Sequence, residues 1–165
     1  MMIAIKNILV ATDFSEPSDT ALAYGRELAR TFGATLHVLH VAENLAARAA
    51  ADAYPMALPD MQRDIEHDAW TRLEATLTSD DRKTLRAKPV VLTASPTAAA
   101  IVNYAREAKS DLIVMGTHGR GAVARLLMGS VAELVVRTAR CPVLTVRHPE
   151  HEFLVPEPVG AAAKA

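Results

Sequence analysis

Five short apolar runs, at residues 7–11, 35–41, 89–93, 112–115 and 142–146, alternate along the chain with longer stretches whose apolar residues recur at helical spacing. This alternation constrains the fold more than any other feature. The first run, Asn7-Ile8-Leu9-Val10-Ala11, is apolar on successive residues, as a strand is when both faces of a parallel sheet are covered. Behind it, Ala21, Leu22, Gly25, Leu28, Ala29 and Phe32 follow a 3.6-residue rhythm, with Ser15 placed to cap the helix start and Gly33 to close its end. Strands joined through helices run parallel, and the crossovers are right-handed. The pattern β-α-β-α-β-α-β-α-β therefore predicts an α/β fold: an open five-stranded parallel sheet with helices on both faces. In the usual order of such a sheet, 3-2-1-4-5, the first and fourth strands flank the reversal of winding, and a ligand sits outside their carboxyl ends.

The other segments are read the same way. Residues 42–59 are alanine-rich, broken by Tyr54-Pro55 and Leu58-Pro59, and read as a loop with a helical piece. Met61, Ile65, Ala69, Leu73 and Leu77 predict a second amphipathic helix ending near Ser79-Asp80-Asp81. Ser95 is an N-cap candidate with Pro96 at the first helical position, and Ala98, Ile101, Val102, Ala105 and Ala108 supply the buried stripe of a third helix. Ser130-Val131-Ala132-Glu133 has the pattern of a capping box for a fourth helix, through about Arg137. The domain is expected over residues 1–147. The remainder, 148–165, carries three prolines and an alanine-rich end and reads as a weakly ordered tail.

Composition narrows the function classes. With 165 residues, half of them hydrophobic, the chain buries a full core without disulfide or metal staples. A net charge of -1, from 18 basic and 19 acidic side chains, gives no field that would favour nucleic acid or an anionic membrane surface. No apolar stretch approaches the ~20 residues that cross a bilayer. Cys141 is the single cysteine, and residues 1–6 lack the basic, apolar and small-residue sequence of a secretory leader, so the cytoplasm is the expected compartment. His37 and His40 fall on opposite faces of their strand, which argues against a shared metal site.

The chemistry concentrates after the fourth strand. Gly116-Thr117-His118-Gly119 is followed nine residues later by Gly129-Ser130 at the start of the last helix. A phosphate chain needs backbone N–H donors close to its oxygens and no Cβ atoms in the way, and a glycine loop entering a helix N-terminus supplies both. Two other phosphate patterns fail here. Gly119-Arg120-Gly121-Ala122-Val123-Ala124 matches a dinucleotide fingerprint but lies on the wrong strand and lacks the acid about 20 residues later. No G-x-x-x-x-G-K-[ST] string occurs, so P-loop hydrolysis is not expected. His118 is a donor to phosphate or a solvated loop histidine, with catalysis the weaker reading, and Arg120 and Arg125 add positive potential or are surface charge. Asp13 faces the same crevice from the first strand, with capping of the first helix through Asp13-x-x-Glu16 as its other reading.

Gly116-x2-Gly119-x9-Gly129-Ser130 resembles the nucleotide-binding signature of the universal stress protein family. Ile8-Leu9-Val10-Ala11-Thr12-Asp13, Asp111 to Gly119, and Cys141-Pro142-Val143-Leu144 resemble that family's first strand, fourth strand and last strand, so the likeness runs from about Ile3 to Arg147. The resemblance implies a Rossmann-like (HUP-type) domain, often a homodimer, that binds ATP and acts in stress survival rather than as a vigorous catalyst. Carried over, it implies that Thr12 and Asp13 meet the nucleoside and Val41 packs on the adenine. Met115, Gly116, Thr117, His118, Gly119 and Arg120 then line the ribose and phosphate path, and Gly129, Ser130 and Val131 hold the phosphates. AMP or another adenine nucleotide is the other ligand considered, with Mg2+ accompanying ATP. No catalytic or metal-ligating residue is assigned. The alternatives are a slow ATPase and a non-catalytic dimer, paired through the last strand, that binds an unknown protein partner.

Overall fold

The structure, a computed structural model, describes residues 1–49, 58–117 and 129–147. The first apolar run forms β1 (Asn7–Ala11), in which Ile8, Leu9 and Val10 are wholly buried because both faces are covered. Helix α1 (Glu16–Phe32) starts from Ser15 in extended conformation and stops at Gly33, whose φ of +61° turns the chain where a side chain would be strained. The strands β2 (Thr35–Ala42), β3 (Lys88–Thr93), β4 (Leu112–Gly116) and β5 (Val143–Val146) complete one parallel sheet of order β3-β2-β1-β4-β5. Strand β1 is central, with Ile8 opposite Leu36 on one side and Leu112 on the other.

The pleat divides the core in two. Ile8 and Val10 join Leu36 and Val38 on one face, against α1 and α3 (Leu58–Thr76). Leu9 and Ala11 join Leu39, Ile113 and Met115 on the other, against α5 (Thr97–Glu107) and α6 (Ser130–Thr138). Full burial of each large aliphatic side chain stabilises the fold by about 1.5–3 kcal/mol. The doubly wound architecture is thus the one the alternation predicts, with helices on both faces.

The helical piece expected within residues 42–59 is present, and three other local details differ from the sequence reading. Residues 42–59 contain the helical piece α2 (Leu45–Ala49); residues 50–57 lie outside the described residues. The second amphipathic helix ends at Thr76, and a separate short helix, α4 (Ser79–Thr84), follows. The break arises because Thr78 caps anew: its Oγ1 accepts from the Asp81 amide at 3.0 Å, and its own amide donates to Asp81 Oδ2 at 2.9 Å. Pro96, in extended conformation at φ -78° and ψ 145°, takes the N-cap position expected for Ser95, so α5 begins at Thr97. Gly129 likewise takes the N-cap position expected for Ser130. The tail, 148–165, lies outside the described residues.

Candidate functional site

A cavity of about 470 Å³ opens at the carboxyl ends of β1, β2 and β4 and is closed by the first turns of α5 and α6. It sits beside the junction of β1 and β4, where the winding reverses. Thr12 and Asp13 enter from the end of β1 and Val41 from the end of β2; Met115, Gly116 and Thr117 come from the end of β4, and Gly129, Ser130 and Val131 from the start of α6. Nine of the twelve residues singled out in the sequence therefore line one space. His118, Gly119 and Arg120 lie outside the described residues.

The turn after β1 is held by hydrogen bonds from its own side chains. Thr12 continues the sheet through its amide to Leu39 O at 2.9 Å, while its buried Oγ1 accepts from the Phe14 amide at 3.0 Å and lies 3.0 Å from Ser18 Oγ. The Thr12 hydroxyl is thus committed to the turn. Asp13 Oδ1 accepts from the Ser15 amide at 3.1 Å and from the Ser15 hydroxyl. Ser15 is the N-cap, and its amide donates to Ser18 Oγ at 3.0 Å, so the Asp13-x-x-Glu16 cap does not form. Phe14 takes φ +62°, costly for a bulky side chain, and its ring is held 4.4 Å from the His40 ring with the Arg72 guanidinium 4.3 Å from its centroid. His40 Nδ1 lies 2.9 Å from Thr12 O; the carbonyl only accepts, so Nδ1 carries the proton.

On the β4 side, Gly116 does not make the turn that the glycine-loop reading expects; it ends the strand against the first turn of α1. A Cβ there would lie 3.0 Å from Pro17 Cβ and 3.1 Å from the Pro17 carbonyl carbon and oxygen. Thr117 N donates to Val146 O at 2.8 Å, and Gly129 N donates to Thr117 O at 2.7 Å, which closes the two ends of segment 118–128 at the rim. The Gly129 amide is therefore spent within the chain. The donors facing the cavity are the next three: the first intrahelical bond runs from Glu133 N to Gly129 O at 2.9 Å, so the amides of Ser130, Val131 and Ala132 precede the ladder at the positive end of the α6 dipole.

These groups can hold an anion at α6 and a hydroxyl-bearing or heterocyclic group between Asp13 and Val41. Asp13 is the one carboxylate among the described lining residues. His37, on the opposite face of β2 from His40, is buried with Nδ1 2.8 Å from Tyr104 Oη; burial and then the Lys88 charge lower its pKa. Burial pushes the Cys141 thiol up, which disfavours the nucleophilic thiolate. Among the described residues no group of three His, Cys, Asp or Glu side chains could hold a metal, and no helix is long and apolar enough to cross a membrane. Ser18, His40, Thr97 and Ile101 also line the cavity and escaped the sequence reading. Ser18 carries one local signal, its place three residues beyond the cap; the others depend on which strand ends and helix starts meet.

Residues 4–147 match the sequence profile of the universal stress protein family. The chain belongs to this family. A universal stress protein of Thermus aquaticus is 38% identical over 146 residues, which are 86% of this chain and 98% of the relative. The solved structure of a universal stress protein from Lactobacillus plantarum shares the fold at TM-score 0.71 and 24% identity, over 88% of this chain and 100% of that one. A universal stress protein solved in complex with cAMP has TM-score 0.54 and 26% identity, over 88% and 98% of the two chains. In universal stress protein terms, the cavity described above lies at the carboxyl edge of the shared sheet.

Proposed function

We propose that this universal stress protein binds an adenine nucleotide, ATP foremost, and works in the cytoplasm as a nucleotide-dependent stress-response module rather than as a fast enzyme. One observation carries the reading: the unladdered amides of α6 and the Asp13–Val41 pair share a single cavity of about 470 Å³, within the size range of small-molecule sites. The base packs on Val41, the ribose hydroxyls meet Asp13, and the phosphates lie on the α6 N-terminus, with Mg2+ accompanying ATP. The similar protein that holds cAMP supports an adenine ligand, and AMP is the competing occupant. Binding stabilises one conformation and so changes what a protein partner meets. A homodimer through the free edge of β5 is part of the proposal.

The second reading is slow ATP hydrolysis. Asp13, the sole described carboxylate in the cavity, already holds Ser15 through Oδ1, which leaves little to orient a water.

Gly129→Asp tests the site. Aspartate is a good N-cap, so the variant keeps α6 while its carboxylate occupies the amides that the phosphates require. Titration calorimetry with ATP and AMP should show a loss of affinity of about tenfold or more, equivalent to about 1.4 kcal/mol. Unchanged ATP affinity would overturn the placement of the phosphates, and turnover equal to that of the variant would remove the hydrolysis reading.

A further inference from the structure

A second cavity, of about 160 Å³, lies at the other end of the sheet, between the end of α5 and the segment that enters β5. Ser110 precedes β4 and Cys141 precedes β5, so the length of β4, about 16 Å, separates it from the nucleotide pocket. Its rim carries Arg106, Lys109 and Arg140, with Ser110 and Cys141 in the wall. None of these three cations is in an ion pair among the described residues, whereas seven other arginines are. Asp111, the acid that acts on the Cys141 thiol, is already committed: its Oδ2 accepts from the Lys6 and Asn7 amides at 2.7 and 3.0 Å.

Two further observations set the cluster apart from ordinary surface charge. Lys109 takes φ +51° immediately after α5, a position where glycine carries no strain, yet it keeps a cationic side chain on the rim. The buried Ser110 hydroxyl has no hydrogen-bond partner among the described residues. Basic residues often complement helix carboxyl ends, and α5 and α6 both end here. At the end of α5 the carbonyls of Tyr104, Ala105 and Arg106 already accept from the Ala108, Ser110 and Lys109 amides, and at the end of α6 the Val135 carbonyl accepts from the Ala139 amide.

We propose that this cavity is an anion site that takes a free tetrahedral oxyanion of the phosphate or sulfate type. Its volume suits a small ion, and its three cations, in no ion pair among the described residues although Arg106 donates to Asn103 Oδ1 at 3.3 Å, come from two separate stretches of chain and supply charge-assisted hydrogen bonds. The site is independent of the nucleotide reading.

Inorganic phosphate titrated into the full chain, followed by amide NMR, tests it. Saturable shifts are expected at Lys109, Ser110 and Cys141, in the wild type and equally in Gly129→Asp. The triple change Arg106→Gln, Lys109→Gln and Arg140→Gln should weaken binding by about tenfold or more. Lys109→Gly offers an arm that relieves backbone strain: it should raise the melting temperature and weaken phosphate binding together. Shifts confined to Ser130, Val131 and Ala132, an absence of saturation at about 20 mM phosphate, or equal affinity in the substituted chains would overturn the site.

Discussion

Gly116 meets a steric demand that comes from a helix a hundred residues earlier in the chain. An alanine Cβ would press on the Pro17 side chain and on its backbone carbonyl, and backbone in the first turn of a helix cannot swing aside as a flexible side chain can. Gly116→Ala should therefore cost about 1–3 kcal/mol and lower the melting temperature by several degrees, about 2–4 °C per kcal/mol at this size. It should also weaken nucleotide binding, because Pro17 follows directly on the turn that carries Asp13. A melting curve superimposable on that of the wild type would refute the contact. Phe14 is the counterpart across the cavity: its left-handed backbone, stacked ring and bond to Thr12 Oγ1 hold Asp13 in place from behind.

Among the elements, α1 and α4 are joined by one buried acid. Asp81 is 1% exposed; its oxygens accept from Arg26 Nε at 3.0 and 3.1 Å, from Arg26 Nη2 at 2.8 Å and from the Thr78 amide, while Arg26 also reaches Thr76 O. Burial alone would raise the Asp81 pKa, but the bonds from Arg26 and Thr78 outweigh it and hold the carboxyl below its ordinary 3.8. A depressed folded pKa means that the unfolded chain takes up the proton first. The stabilisation is therefore whole above pH 3.8 and disappears as the pH falls through the folded value. Asp81→Asn should lose about 2–3 kcal/mol at pH 7, since Arg26 keeps its charge without its partner. Urea unfolding as a function of pH should also show a shallower acid decline for the variant below about pH 4. A wild-type slope retained in Asp81→Asn would show that other carboxylates set that decline.

At the scale of the whole molecule, β5 is one of the two edge strands of the sheet, β3 being the other. Pro142 O and Val146 O accept from Ile113 and Thr117 of the β4 side, so the alternation of a strand turns the backbone groups of Val143 and Thr145 outward. Helix α6, which packs on β5, leaves Leu134 and Val136 partly exposed on the two flanks of the buried Val135. A second copy paired along β5 would cover these outward backbone groups. Light scattering after gel filtration should give twice the chain mass, and Thr145→Pro, which removes an outward N–H and leaves the β4 ladder whole, should give a folded monomer. A wild-type monomer at about 10 μM, a concentration well above the dissociation constants of stable dimers, would count against the edge pairing.

The linear order of residues determined the architecture. Buried strands read as continuous apolar runs and α1 as a 3.6-residue stripe between Ser15 and Gly33, and a parallel β-α alternation leaves one place for a ligand, which is why Asp13 and the Gly129 turn could be matched across a hundred residues, while Val41 came with the family resemblance. What remained hidden was every feature that depends on a distant partner. The amphipathic pattern from Met61 to Leu77 gives no sign that Asp81, in the short helix that follows it, is buried against Arg26 of α1. Gly129 and Ser130 exchange capping roles because Thr117 O is there to take the Gly129 amide, and Gly116 reads as a turn until Pro17 is seen against it. Periodicity and capping act between neighbours along the chain and are written in it. Steric fit, hydrogen-bond commitment and pKa depend on which segments meet in space, and the tertiary structure alone decides that.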